Sequence, residues 1–256
     1  MVTTAVEVRP RVLAQSRVDF FYVYMAVCCA AVAFLGFAPT YWMPLARGAF
    51  RANPIVHIHG LVFFAWTVFF VYQAWLAAAG RLARHRAVGM IGVSFATAMT
   101  ILGTLVAINQ MKSAAAIGQA EEGLAFAIVP LSSILFFAVV IALAIGNARR
   151  PELHKRLMLV ATISILDAAV ARWFLVFLAP PGAAGPPPVG ADVPPALVTC
   201  VLLVVAIVRD WRARGRPHPA YVAGLGTLLA IKLLQVPASA TALWHAVARG
   251  VLALAG

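Results

Sequence analysis

The sequence predicts an all-α, polytopic membrane helix bundle of about seven transmembrane helices. Three observations carry that reading. Of 256 residues, 63% are hydrophobic and 11% are charged, against roughly 25% charged in a soluble domain. The apolar residues form continuous runs of about 20, enough to cross the hydrocarbon core as a helix at ~1.5 Å rise each. They do not alternate as the strands of a membrane barrel would. Finally, the basic residues behind the net charge of +12 fall mostly in short intervals between those runs. Placed there, they speak for membrane topology and against nucleic acid as a partner.

Seven spans follow in order: 19–40, 55–79, 87–109, 124–146, 156–179, 195–209 and 220–247. The first run is too long for the apolar segment of a cleaved leader. Asn53-Pro54 opens the second as an N-cap followed by a first-turn proline. The sixth is short, so it is either tilted little or extended into the segment before it. That segment, 180–195, is rich in Pro, Gly and Ala and holds a single charge, Asp192; it reads as an extended, mobile outer loop. No internal repeat and no soluble domain is evident, so residues 1–256 form a single transmembrane domain.

Lysine and arginine set the orientation. Arg9, Arg11 and Arg17 precede helix one, and Arg81, Arg84 and Arg86 separate helices two and three. Arg149, Arg150, Lys155 and Arg156 lie between four and five, and Arg209, Arg212, Arg214 and Arg216 between six and seven. Those 14 share one side, whereas Arg47, Arg51, Lys112 and Arg249 lie on the other. Basic loops are retained in the cytoplasm, which places the N-terminus inside and the C-terminus outside. The location implied is a bacterial inner membrane, with anionic lipid drawn to the cytoplasmic face.

The chemistry-bearing residues are few. Cys28, Cys29 and Cys200 show no metal or disulfide spacing and read as small hydrophobes. His57, His59 and His245 lie near the outer face, and His85, His154 and His218 near the inner one, an arrangement with room for one metal or haem site per leaflet. His57 and His59 are candidate metal ligands, but two positions along a helix turn them about 200° apart, so they cannot share an ion. His218 and His245 read as interfacial residues. The clusters Arg84-His85-Arg86 and His154-Lys155-Arg156 have two readings. One is plain positive-inside charge. The other brings His85 and His154 face to face, with neighbouring cations holding propionates, phosphates or a quinone head.

Asp167 and Lys232 lie mid-span, where a lone charge costs several kcal/mol, so they are expected to pair inside the bundle. Arg172 is expected to join them or to meet the outer end of helix two. Helix three carries no carboxylate, which argues against a retinal counter-ion for Lys232. Gly89, Gly92, Gly103, Gly224 and Gly226 are candidates for close helix packing. No Gly-x-Ser-x-Gly, His-Glu-x-x-His or Walker loop is present.

His57, Gln73, Arg81, the run His85-Arg86-x-x-Gly89, and then His154, Met158 and Arg172 stand in a recognisable order. The pattern resembles a family of uncharacterised bacterial multipass proteins, a domain of unknown function, over helices two to five. Leu157 departs from the aromatic residue expected before the Met, and helices one, six and seven lie outside the resembling part. That family is loosely similar to small four-helix membrane proteins with paired histidines, b-type cytochromes and a haem–copper oxidase assembly factor among them. The resemblance implies a four-helix core, 53–179, carrying His57, His85, His154 and Arg172 around haem b or a transition metal. Its function would be redox chemistry or oxidase maturation. Two alternatives stay open: a small-solute or proton transporter using Asp167, Lys232 and Arg172, and an accessory subunit bound to other membrane proteins.

Overall fold

A computed structural model describes residues 19–254, all α-helical or turn with no strand among them. Arg9, Arg11 and Arg17, placed inside by the charge count, lie outside the described residues. Seven helices are long and apolar enough to cross a membrane, so the chain is a multipass membrane helix bundle.

The first span is α1 (Phe21–Gly36), continued by a π-helical turn (Ala38–Trp42) into α2 (Met43–Ala46). The second is α3 (Pro54–Ala78), opened as expected by Asn53, whose Oδ1 accepts from the Ile55 amide at 3.0 Å. The third, α4 (Leu82–Ala116), has 35 residues and overruns its expected bounds of 87–109 at both ends. The fourth is two nearly continuous pieces, α5 (Ala120–Phe126) and α6 (Ile128–Gly146).

The fifth span departs most from the expected single helix. α7 (Pro151–Ile163) stops at Ser164 and α8 (Asp167–Leu178) restarts three residues later. The sixth, α9 (Val193–Arg214), is preceded by a one-turn helix over Val189–Asp192 and is not short. It ends on Gly215 at φ 71°, the left-handed cap that only glycine adopts without strain. The seventh, α10 (Pro219–Ser239), ends eight residues early, and a separate helix, α11 (Ala242–Ala253), follows. Thr241 caps that last helix through the Trp244 amide, a side-chain bond that a continuous helix has no place for.

The side chains sort as lipid-embedded helices require. Leu61, Leu135 and Leu234 are 64–70% exposed on the outer surface, which in water would be a large aggregation-prone face. The inside is packed by residues such as Trp66, Met99, Phe137 and Leu203. Glycines set three close crossings. A Cβ on Gly36 would stand 2.5 Å from the Ala169 carbonyl oxygen, one on Gly224 2.7 Å from Val160, and one on Gly103 3.0 Å from Ile134. Gly92 abuts the Phe69 ring, whereas Gly89 and Gly226 face open space and pack against nothing.

The turns at Gly80, Asn147–Arg150 and Gly215–Pro217 share one end of the bundle, here called the arginine-rich end. Several of its cations are structural. Arg156 and Asp210, both fully buried, form a two-pronged pair across α7 and α9 at 2.8 and 2.9 Å. The third prong of Arg156 reaches Glu152 at 2.8 Å, and Arg214 closes onto the same carboxylate. The expectation that Arg156 is a loop charge is thus corrected: α7 starts at Pro151, so Arg156 sits a turn and a half inside a helix.

Candidate functional site

At the arginine-rich end, two short turns place a histidine in the first turn of a helix. Gly80, at φ 71°, reverses the chain between α3 and α4, and His85 follows four residues into α4. The turn after α6 delivers Pro151, and His154 follows at the same position of α7. Each ring reaches back to the helix it has just left. His85 Nδ1 lies 3.2 Å from the Gln73 carbonyl and His154 Nδ1 2.8 Å from the Ala144 carbonyl. A carbonyl can only accept, so Nδ1 carries the proton and donates, and Nε2 keeps its lone pair. The two rings stand 6.4 Å apart between centroids at 85° to one another. Gln73, whose carbonyl holds His85, is itself buried, and both polar atoms of its side-chain amide lack a protein partner. The charge of Arg86 reaches His85.

The break in the fifth span builds a second polar centre. Ser164 turns its hydroxyl to the Ala161 carbonyl, and Asp167 opens α8 by accepting the Ala168 amide on Oδ1 at 2.8 Å. Lys232 of α10 forms an ion pair with Asp167, as expected, and a second with Asp192 at 2.7 Å. Gln235 donates to Asp192 at 2.9 Å, and Lys232 to Ser133 at 3.2 Å. Asp167, Asp192 and Lys232 are 5%, 7% and 3% exposed. A cavity of about 10 Å³, lined by Ser164, Asp167, Thr199, Cys200 and Lys232 among others, adjoins the pair.

The expected mobile loop is corrected at its far end. Asp192 is not in extended chain but locked in a buried turn by Lys232 and Gln235. Composition hid this, because Pro, Gly and Ala do not reveal that the one acid among them faces inward.

The third polar group lies at the end opposite the arginines. His57 Nδ1 is 3.1 Å from the Tyr41 hydroxyl, and the Phe50 ring stands edge-on to it. His59 lies on Phe63 at 4.0 Å between centroids, and its buried Nδ1 has no partner. His57 and His59 have separate surroundings, so the structure does not bring these two candidate metal ligands together. Arg172 does not join Asp167. Its guanidinium lies 5.2 Å from the Phe37 ring, its charge reaches His59, and its Nε has no partner.

The remaining histidines have structural work. His218 Nδ1 caps α10 by accepting the Ala220 amide. His245 bridges Glu121 at 2.8 Å and the Ser239 carbonyl at 3.0 Å. Among the described residues, no group of three or more His, Cys, Asp or Glu side chains is placed to hold a metal ion. No protein-family model, curated protein or solved structure matches the chain.

Proposed function

We propose that this chain is a redox protein of the bacterial inner membrane whose cytoplasmic, arginine-rich end would hold a haem through His85 and His154. The observation that carries this reading is the pair itself: two rings anchored through Nδ1 on backbone carbonyls, 6.4 Å apart between centroids and 85° to one another. Anchoring Nδ1 is how proteins orient a metal-binding imidazole and raise its basicity.

The spacing suits one ion between two rings. With about 2.0–2.1 Å from nitrogen to metal and about 1.2 Å from nitrogen to ring centre, opposed imidazoles stand about 6–6.5 Å apart. The donor count favours haem over a bare ion. A structural zinc wants four protein ligands, and only two histidines converge here. A haem would bring most of its own donors and ask the protein for few ligands. Gln73 has two buried hydrogen-bonding atoms to spare, and Arg86, within electrostatic reach of His85, suits a propionate. Bound there, the group would supply one-electron redox chemistry.

His57, His59 and Arg172 lack a second facing imidazole, so they do not form an equivalent site. The unpaired Nε of Arg172 and Nδ1 of His59 suit an anionic or carbonyl-bearing ligand in the outer leaflet.

Visible spectra of the detergent-purified protein test the proposal. The expected result is a Soret band at about one haem per chain that His85→Ala and His154→Ala each remove and His218→Ala leaves. Retention of the band in both of the first two variants would overturn the assignment.

A further inference from the structure

The charge centre in the fifth span does not balance. Asp167 and Asp192 supply two carboxylates and Lys232 a single ammonium, all buried. Among the described residues no further cation reaches the centre; on α7, which packs against α10, Lys155 is held by Glu152 and Arg156 by Glu152 and Asp210. α6 contributes Ser132 and Ser133, α10 adds Gln235, and α9 adds Thr199 and the Cys200 thiol. α1 and the π-helical turn, which pack on α8, contain no charged residue. Arg172 points away to Phe37, and on α11 His245 and Arg249 are engaged by Glu121. With every group ionised, the centre would carry a net negative charge inside an apolar bundle, at a cost of several kcal/mol.

We propose that Asp167, Asp192 and Lys232 form a proton-binding site that holds one exchangeable proton on its carboxylate pair. Lys232 reaches both acids, so it remains charged and the proton resides on a carboxylate. Two carboxylates sharing a site do not both ionise readily. A metal cation is a poorer occupant, because it would sit beside an ammonium that already holds both acids. Oδ2 of Asp167 meets Lys232 as an ion pair, and Asp167 lines the cavity.

That cavity, about 10 Å³, takes about one water. Ser164 and Thr199 spend their hydroxyl protons on the Ala161 and Pro195 carbonyls, which leaves their oxygens free to accept from such a water. The interrupted helix suits this role. Irregular backbone within a membrane is tolerated where it lines a polar cavity, and ion-coupled carriers build their sites at such breaks. Asp192 directly follows the Pro- and Gly-rich segment at the end remote from the arginines, so the proton exchanges with that side of the membrane. This site is independent of the haem proposal, and its readout does not require a bound haem.

Infrared spectra of the full-length protein in liposomes decide the matter. A carbon-13 label in the aspartate carboxyls distinguishes them from glutamate. At neutral pH the wild type is expected to show the carbonyl stretch of a protonated aspartic acid, displaced by the label. The band should be lost in Asp192→Asn, because the remaining Asp167–Lys232 pair is neutral without a proton, and lost likewise in Asp167→Asn. Asp192→Asn relieves the excess charge and is expected to fold, so it decides alone if Asp167→Asn does not. A wild-type spectrum without the band, or a band that persists in Asp192→Asn, would overturn the proposal.

Discussion

Lys232 has the two carboxylates of the buried centre as its ion-pair partners, and the consequences of removing it differ from those of removing either acid. Lys232→Met leaves two buried carboxylates facing one another and should cost about 3–5 kcal/mol. Asp192→Asn should be neutral or stabilising, and thermal unfolding of both variants in one detergent measures the contrast. Arg156→Met leaves the fully buried Asp210 with only the longer Arg209 contact at 3.4 Å and belongs with the costly class. His218 shows the effect of protonation. It lies between spans, where burial and then Arg156 lower its pKa from the ordinary histidine value. Its neutral Nδ1 accepts the Ala220 amide, and the unfolded chain takes up the proton first. The cap's contribution is therefore present above the ordinary histidine pKa and lost as pH falls below it. Unfolding midpoints between about pH 7.5 and about pH 5.5 should drop less in His218→Asn than in the wild type. At this scale the sequence reveals Asp167 and Lys232 because a mid-span charge demands a partner. It conceals Asp192 and Asp210. One sits in a segment that looks like loop, and the other in an arginine-rich run that looks like surface.

Among the helices, hydropathy locates all seven spans but not their interruptions. Within residues 156–179 the break falls at Ser164–Leu166, where no proline or glycine announces it. The break is visible only once Asp167 is seen to open a new helix on Lys232. Between α10 and α11 a signal does exist, Ser239-Ala240-Thr241 with Pro237 just before it. The apolar pattern that continues to 247 overrides it. Packing at crossings is equally local. Gly36 faces the Ala169 carbonyl and Gly224 faces Val160, so Gly36→Val and Gly224→Val should each cost about 1–3 kcal/mol by overpacking. Gly89, with nothing within 4 Å, should accept alanine with a gain of about 0.5–1 kcal/mol. Parallel unfolding curves separate the two outcomes. A spacing of small residues in sequence cannot distinguish Gly89 from Gly224, because the difference lies in the neighbour.

The His85–His154 pair and the Asp167–Asp192–Lys232 centre lie at different depths, and α6 and the fifth span contribute to both. At the arginine-rich end, first-turn histidines of α4 and α7 converge because both helices begin at the same end of the bundle. Nearer the other end, the interrupted fifth span meets α10 around a carboxylate pair and one lysine. In the proposed orientation the arginine-rich end is cytoplasmic, and reporter fusions in the Asn147–Arg150 turn and in the Pro180–Pro188 segment should report opposite sides, the first of them inside. The proposed redox centre at one face and the proposed proton site toward the other are the parts from which electron and proton movement would be coupled. The most direct test of the central claim is the absorption spectrum of the purified protein, oxidised and dithionite-reduced, with iron measured on the same sample. A Soret band and sharpened reduced α and β bands are expected at about one haem per chain, lost in His85→Ala and in His154→Ala. A colourless, iron-free protein from haem-replete cells would contradict it.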